Sequence, residues 1–257
     1  MASFAVLYEE VPPIAPLREW VSCYWKFTLP SSQQPAQLVH TVPPDATVSL
    51  CCLPSGTAVL VGPRMNALRV PVQAGMSYVG LRFVPGGAGP LLGIAPKEVR
   101  ELVRPWAQSD FADVVREKGI AGLDALVTRW AAKAGCERPD TIVAEVTRRI
   151  LEADGSARVA DLLVGINLGY RQVLRRFYDA TGLTPKEFAR VRRIREACVQ
   201  ALQKKEPGWA ALSAETGFSD QAHMVREFRD IYGWPPRLVH EYLSQIEHHC
   251  LTSWEPF

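Results

Sequence analysis

The sequence predicts an α+β protein of two domains: a small N-terminal β-barrel or sandwich followed by helices, then an all-α C-terminal double helix-turn-helix with a connecting helix. Three observations carry this reading. Up to about residue 85, short β-rich runs alternate with Pro and Gly; beyond Pro90 apolar residues recur at helical spacing; and after residue 158 one helical pattern occurs twice. With 257 residues, 47% hydrophobic and 22% charged, the chain can bury two cores, and disordered, fibrous and low-complexity readings are excluded.

The strand signals are Ser22 to Leu29, Leu38 to Val42, Thr47 to Leu53, Ala58 to Val61, Leu68 to Val72 and Ser77 to Val84. Helical periodicity follows in Pro96 to Val103, Phe111 to Glu117 and Leu123 to Ala134, helices that would pack on the barrel or on a second subunit. Around Cys136 to Asp140 lies the domain boundary, with Pro139 suited to the first turn of a helix running to about Ala153. Val159 to Val164 reads as a short helix, Gly165 to Gly169 as a turn, and Tyr170 to Ala180 as a second helix with Val173 and Phe177 on one face. Thr184-Pro185-Lys186-Glu187 combines an N-cap, a first-turn proline and the Glu of a capping box, opening a helix to about Gln203. The pattern then repeats as Trp209 to Thr216, a turn at Gly217 to Ser219, and Asp220 to Tyr232 with Met224 and Phe228 inward. Phe177 and Phe228 each stand five residues before a Gly and eight before a Pro. The expected division is 1–136, 137–245 and a solvated tail 246–257, in which His248, His249 and Cys250 have poor metal-ligand spacing.

The net charge of +2 conceals an uneven distribution. Residues 158–205 hold 11 Lys/Arg against 4 Asp/Glu, whereas residues 206–257 hold 3 against 8. Such a local basic surplus is the footprint of a polyanion contact, or of a solvated helix face. No apolar run is long enough to span a membrane and no signal-peptide order opens the chain, so a cytoplasmic protein with reduced thiols and no membrane partner is expected.

Several residues carry the next step: Val173-Leu174-Arg175-Arg176-Phe177, Thr181 to Phe188, Arg190 to Ala197, and Gly217 to Met224 followed by Phe228, Gly233 and Pro236. Over about 138–243 the chain resembles the DNA-binding domain of the AraC/XylS family of bacterial transcription regulators. The resemblance implies two reading helices in successive major grooves of double-stranded DNA, and RNA polymerase and a homodimeric copy as further partners. A connecting helix of Pro185 to Gln203 would be roughly 28 Å long, comparable with the ~34 Å turn of the duplex. Carried over by position, Arg171, Gln172 and Arg175 of the first unit, and Gln221, Ala222, His223 and Arg226 of the second, would face bases. Arg suits guanine, Gln adenine and Ala the thymine methyl. Tyr170, Arg176, Arg192 and Ser219 would face phosphates. Gly169 stands where the family usually offers a Ser cap, and Leu174 where a polar reader is common.

The N-terminal region more loosely resembles an uncharacterised sensor module, through Tyr24-Trp25, His40 to Asp45, Gly62-Pro63 and Gly80 to Gly87. His40 and Asp45 with Trp20, Trp25, Tyr78 and Arg82 would line a pocket for an unidentified small-molecule effector; barrel packing is the alternative. Gly86 to Gly89 reads as a turn, since no phosphate-loop motif follows it. Cys51 and Cys52 would point to opposite faces of a strand. No catalytic motif, cofactor or metal site is expected. The competing readings are a cysteine-dependent DNA repair protein and a ligand-independent dimeric DNA binder.

Overall fold

The computed structural model describes residues 6–31, 37–106 and 110–248. Its strands are β1 (Val6–Val11), β2 (Val21–Thr28), β3 (Gln37–Val42), β4 (Ser49–Cys52), β5 (Ala58–Val61), β6 (Leu68–Gln73), β7 (Ser77–Phe83), β8 (Val103–Pro105) and β9 (Ile246–His248). Seven form one sheet in the order β8-β5-β4-β7-β2-β1-β9, and β3 with β6 makes a separate ribbon. The sheet neighbours are antiparallel except β1 and β9, which run parallel with Val6 opposite Ile246. The ribbon packs over one sheet face, where Val72 meets Val6, Phe27 and Leu29, giving a sandwich-like arrangement.

The helices are α1 (Ala88–Leu92), α2 (Asp110–Lys118), α3 (Leu123–Lys133), α4 (Thr141–Glu152), α5 (Val159–Leu162), α6 (Tyr170–Thr181), α7 (Pro185–Leu202), α8 (Trp209–Glu215), α9 (Gln221–Tyr232) and α10 (Pro236–Leu243). Tyr24, Leu50, Leu60, Leu81 and Phe83 on the other sheet face bury against Phe111 of α2 and Leu123, Leu126, Val127 and Trp130 of α3. A register shift between Val21 and Cys23 lets Val21 and Tyr24 share this core, while Trp25 and Phe27 pack on the ribbon side.

Helix α7 serves two cores. Phe188, Ala189 and Val191 join Val143, Val146 and Ile150 of α4 and Val173 and Phe177 of α6; Ile194, Ala197 and Cys198 join Phe218, Met224, Phe228 and Ile231 around α9. Truncating a buried Phe such as Phe177 to Ala would cost about 3–5 kcal/mol. As expected, Thr184 and Glu187 close a capping box at the start of α7.

Some expectations fail. The helix expected over Pro96 to Val103 is a single 3-10 turn, Pro96–Glu98, followed by β8. Glu101 adopts φ 58° and its carboxylate accepts from the Met65 N–H, while β5 supplies the backbone partners of β8. Pro139 precedes α4 instead of entering it, because Asp140 is the N-cap, accepting from the Ile142 and Val143 N–H groups. The tail begins after His248, since Ile246–His248 pairs with β1; His249 and Cys250 lie outside the described residues.

Candidate nucleic-acid interface and interdomain cleft

Helices α6 and α9 each bury one stripe and expose another. On α6, Val173 and Phe177 are buried, while Tyr170, Arg171, Gln172, Arg175 and Arg176 are exposed. On α9, Met224 and Phe228 are buried, while Gln221, Ala222 and Arg226 are exposed. Among the described residues, no ion pair engages Arg171, Arg175 or Arg226. Gln172 folds back on its own helix start, its Oε1 accepting from the Gly169 N–H at 3.3 Å, while Gly169 has no side chain to cap the first N–H groups of α6.

Other expected contacts are otherwise engaged. His223 is half-buried, its ring edge-on to Phe218 with centroids 5.5 Å apart and its Nδ1 3.2 Å from Ser219 Oγ. These contacts engage it with the turn before α9. Asp220 caps α9 through the His223 N–H, and that hydrogen bond holds its carboxyl below the usual range. Arg176 is exposed but pairs with the α4 cap Asp140 at 2.7 Å. Arg192 is less open than the phosphate expectation supposes. It is half-buried, its Nε makes no hydrogen bond among the described residues, and burial with Arg195 nearby holds its guanidinium below the usual arginine range.

The N-terminal domain grips both helix-turn-helix units. On the first, Lys97 pairs with Asp179 at 2.6 Å and Arg100 forks onto Glu187 at 2.8 and 3.3 Å. Gly182 (φ +75°) lies so close to Pro63 and Pro96 that a Cβ would come within 2.7 and 2.8 Å of them. On the second, the Tyr242 hydroxyl of α10 lies 2.6 Å from His40 Nδ1 and accepts from the Thr41 N–H at 2.8 Å. The Ala67 N–H donates to the Ile231 carbonyl, and Arg69 sits over Trp234 at 5.1 Å.

Between the domains lies a cleft of about 80 Å³, traced by the centre of a water-sized sphere. Its lining joins His40, Asp45 and Arg82 of the expected pocket to Tyr8, Glu10, Phe27, Val42 and Pro43, and to Arg195, Leu243 and Ile246 from the C-terminal half. Arg82 is the hub. Its Nε donates to Asp45 at 2.8 Å, one Nη to Glu10 at 3.0 Å and the other to the Tyr8 hydroxyl at 3.1 Å. Burial opposes the Arg82 charge, but the surrounding acidic groups outweigh it and raise its pKa; burial raises that of Tyr8. Arg195 is buried and displaced the opposite way, by burial and by Arg82.

The remaining expected pocket residues are elsewhere. Trp20 is in the α2/α3 core with its indole N–H donating to the Glu137 carbonyl at 2.9 Å. Trp25 and Tyr78 pack under the ribbon, Tyr78 edge-on to Phe27. Nothing in the local sequence marks Arg195, Leu243 or Ile246 as pocket residues; only the packing of the two domains brings them to the cleft. Cys23, Cys51 and Cys198 are buried and their thiols are pushed up to about 12 by burial, which leaves them protonated at neutral pH.

Residues 165–241 match a family model described as a helix-turn-helix domain, and residues 9–104 match a domain of unknown function, DUF6597. No curated protein matches the chain. Among solved structures, the chain is similar to ToxT from Vibrio cholerae. An apo variant of it shows 12% identity and a TM-score of 0.44, covering 95% of this chain and 98% of that one. A second crystal form shows 11% and 0.44, over 95% and 99%. ToxT bound to an unsaturated fatty acid shows 10% and 0.41, over 93% and 95%.

Proposed function

We propose that the chain is an AraC-type DNA-binding transcription regulator, a reading supported by the helix-turn-helix match over residues 165–241, that it reads two successive major grooves with α6 and α9, and that a small molecule in the interdomain cleft tunes this reading. The observation that carries the first half is the exposed trio Arg171, Arg175 and Arg226, without an ion pair among the described residues, on helices whose opposite stripes are buried in cores sharing α7. Exposed guanidiniums on such a helix suit guanine edges, with Gln221 and Ala222 beside Arg226 to extend the readout. Tyr170, Arg176 and Ser219 set register on phosphates, Arg176 by exchanging Asp140 for a phosphate oxygen.

The effector half rests on the cleft. Its walls come from both domains, so an occupant touches the sheet through Arg82, the ribbon through His40, and the C-terminal half through Arg195 of α7 and Leu243 of α10. By the same measure a single water needs about 10–15 Å³, so the cleft as it stands holds a few waters, and a larger effector enters as the domains part. That ties occupancy to domain arrangement, the differential affinity that regulation requires. Dimerisation and contact with RNA polymerase complete the reading. Buried, protonated thiols weigh against the cysteine-dependent repair alternative.

Selection of bound duplexes from a random pool by the full chain tests it. The expected result is a bipartite motif with half-sites about 10 bp apart, centre to centre; recovery without sequence preference would overturn the reading. Repeating the selection with fractionated cell metabolites tests the effector: affinity for the selected site shifts if the cleft is regulatory, and stays constant if the chain is a ligand-independent binder.

A further inference from the structure

Helix α9 is held against α7 at two separated points. Toward its C-terminal end, the Arg190 guanidinium bridges Glu227 and Asp230, carboxylates on one face of α9, reaching Asp230 at 2.7 Å. Before its N-terminus, Arg193, one turn further along α7, donates to the Gly217 carbonyl at 3.3 Å and lies 5.1 Å from the Phe218 ring centroid. Two attachment points fix a direction as well as a distance. Both arginines are half-buried, and burial lowers the Arg193 pKa. The turn before α9 also abuts the segment between α4 and α5: Gly217 has φ +73°, and a Cβ there would lie 2.6 Å from Ser156 Cβ. The same stretch of α7 belongs through Phe188, Ala189 and Val191 to the first core, so whatever anchors α9 to α7 also sets its placement relative to α6.

We propose that Arg190 and Arg193 are positioning residues that set the placement of α9 relative to α6, and through it the one half-site spacing this chain accepts. The proposal rests on the DNA-reading function above. Adding or removing one base pair between half-sites moves the second by ~3.4 Å along the duplex and rotates it by about 36°, a displacement a clamped α9 cannot follow and a loosened one can.

The test uses the full chain and duplexes carrying the selected half-sites at the native spacing and at one base pair more or fewer. The native protein is expected to prefer its own spacing by about tenfold or more, equivalent to ~1.4 kcal/mol. Arg190→Met and Arg193→Met should each narrow that preference to within about threefold while leaving affinity for an isolated first half-site unchanged. The charge exchange Arg190→Glu with Glu227→Arg should restore part of the preference, which a general loss of stability would not do. Both Met variants keeping the native spacing profile would overturn the proposal, as would equal loss of affinity for the isolated first half-site. Absence of any bipartite motif with the native protein would instead overturn the DNA reading on which it rests.

Discussion

Arg175 and Arg226 are exposed, and among the described residues no ion pair engages either, which suits the proposed fork onto a base edge. Arg175→Ala and Arg226→Ala are each expected to cost about 1–3 kcal/mol on the selected site and to relax preference at one position, measured by titration against single-base variants. Arg192 behaves differently although it stands among the same basic residues. Arg176→Gln should weaken binding to all sequences alike and flatten the slope of log affinity against log salt by up to about 0.9, whereas Arg192→Gln should leave that slope unchanged. The basic surplus of residues 158–205 was legible in the sequence, but not how much of it faces solvent. Arg190, Arg192, Arg193 and Arg195 point toward packed surfaces because α7 is covered on several sides, a fact no spacing rule contains.

At the scale of elements, the capping box at the start of α7 is also the seat of an interdomain latch. Burial pushes the Glu187 carboxyl up, but hydrogen bonds from Arg100 and Thr184 outweigh it and hold it below its ordinary 4.5. A carboxylate depressed by folding contributes its stability above the unfolded pKa, and that stability is lost as the pH falls through the folded value. Thermal melts of Glu187→Gln are therefore expected to show a lower Tm than the native chain near pH 7, by the equivalent of about 0.5–1 kcal/mol for a part-exposed pair, with the gap closing as the pH falls below the ordinary 4.5 and through the lowered folded value. The second latch is α10 on β3. Tyr242→Phe leaves the buried Thr41 N–H without its acceptor, and a loss of about 1–3 kcal/mol in denaturant unfolding is expected. The elements themselves were mostly readable: α6 to α9 follow their caps, glycines and apolar stripes. β8 and β9 were not, because three-residue strands have no period to read and exist only through the partners β5 and β1.

Across the whole molecule, the N-terminal domain spans both helix-turn-helix units, latched to the first by Lys97 and Arg100 and to the second by Thr41, Ala67 and Arg69. The cleft lies on the second-unit side of this span, where Arg195 brings α7 to within the surroundings of Arg82. Coupling between a cleft ligand and DNA must be reciprocal. A compound that stabilises the free protein in thermal-shift screening and weakens DNA binding by some factor is expected to bind DNA-saturated protein more weakly by that same factor in calorimetry. Unequal factors would place the compound's effect outside the cleft–DNA linkage.

The sequence by itself determined the two-domain order, the repeated helical unit, its caps and its inward Phe, Met and Val residues, because each depends on neighbours within a few turns of chain. Only the tertiary structure decided which arginines of α7 are buried, that Trp20 and Trp25 fall on opposite sides of a bulged strand, and that His40 meets Tyr242 some 202 residues away. Those outcomes depend on which surfaces are brought together, and a guanidinium or an indole carries the same local signal whether the fold leaves it in water or closes over it.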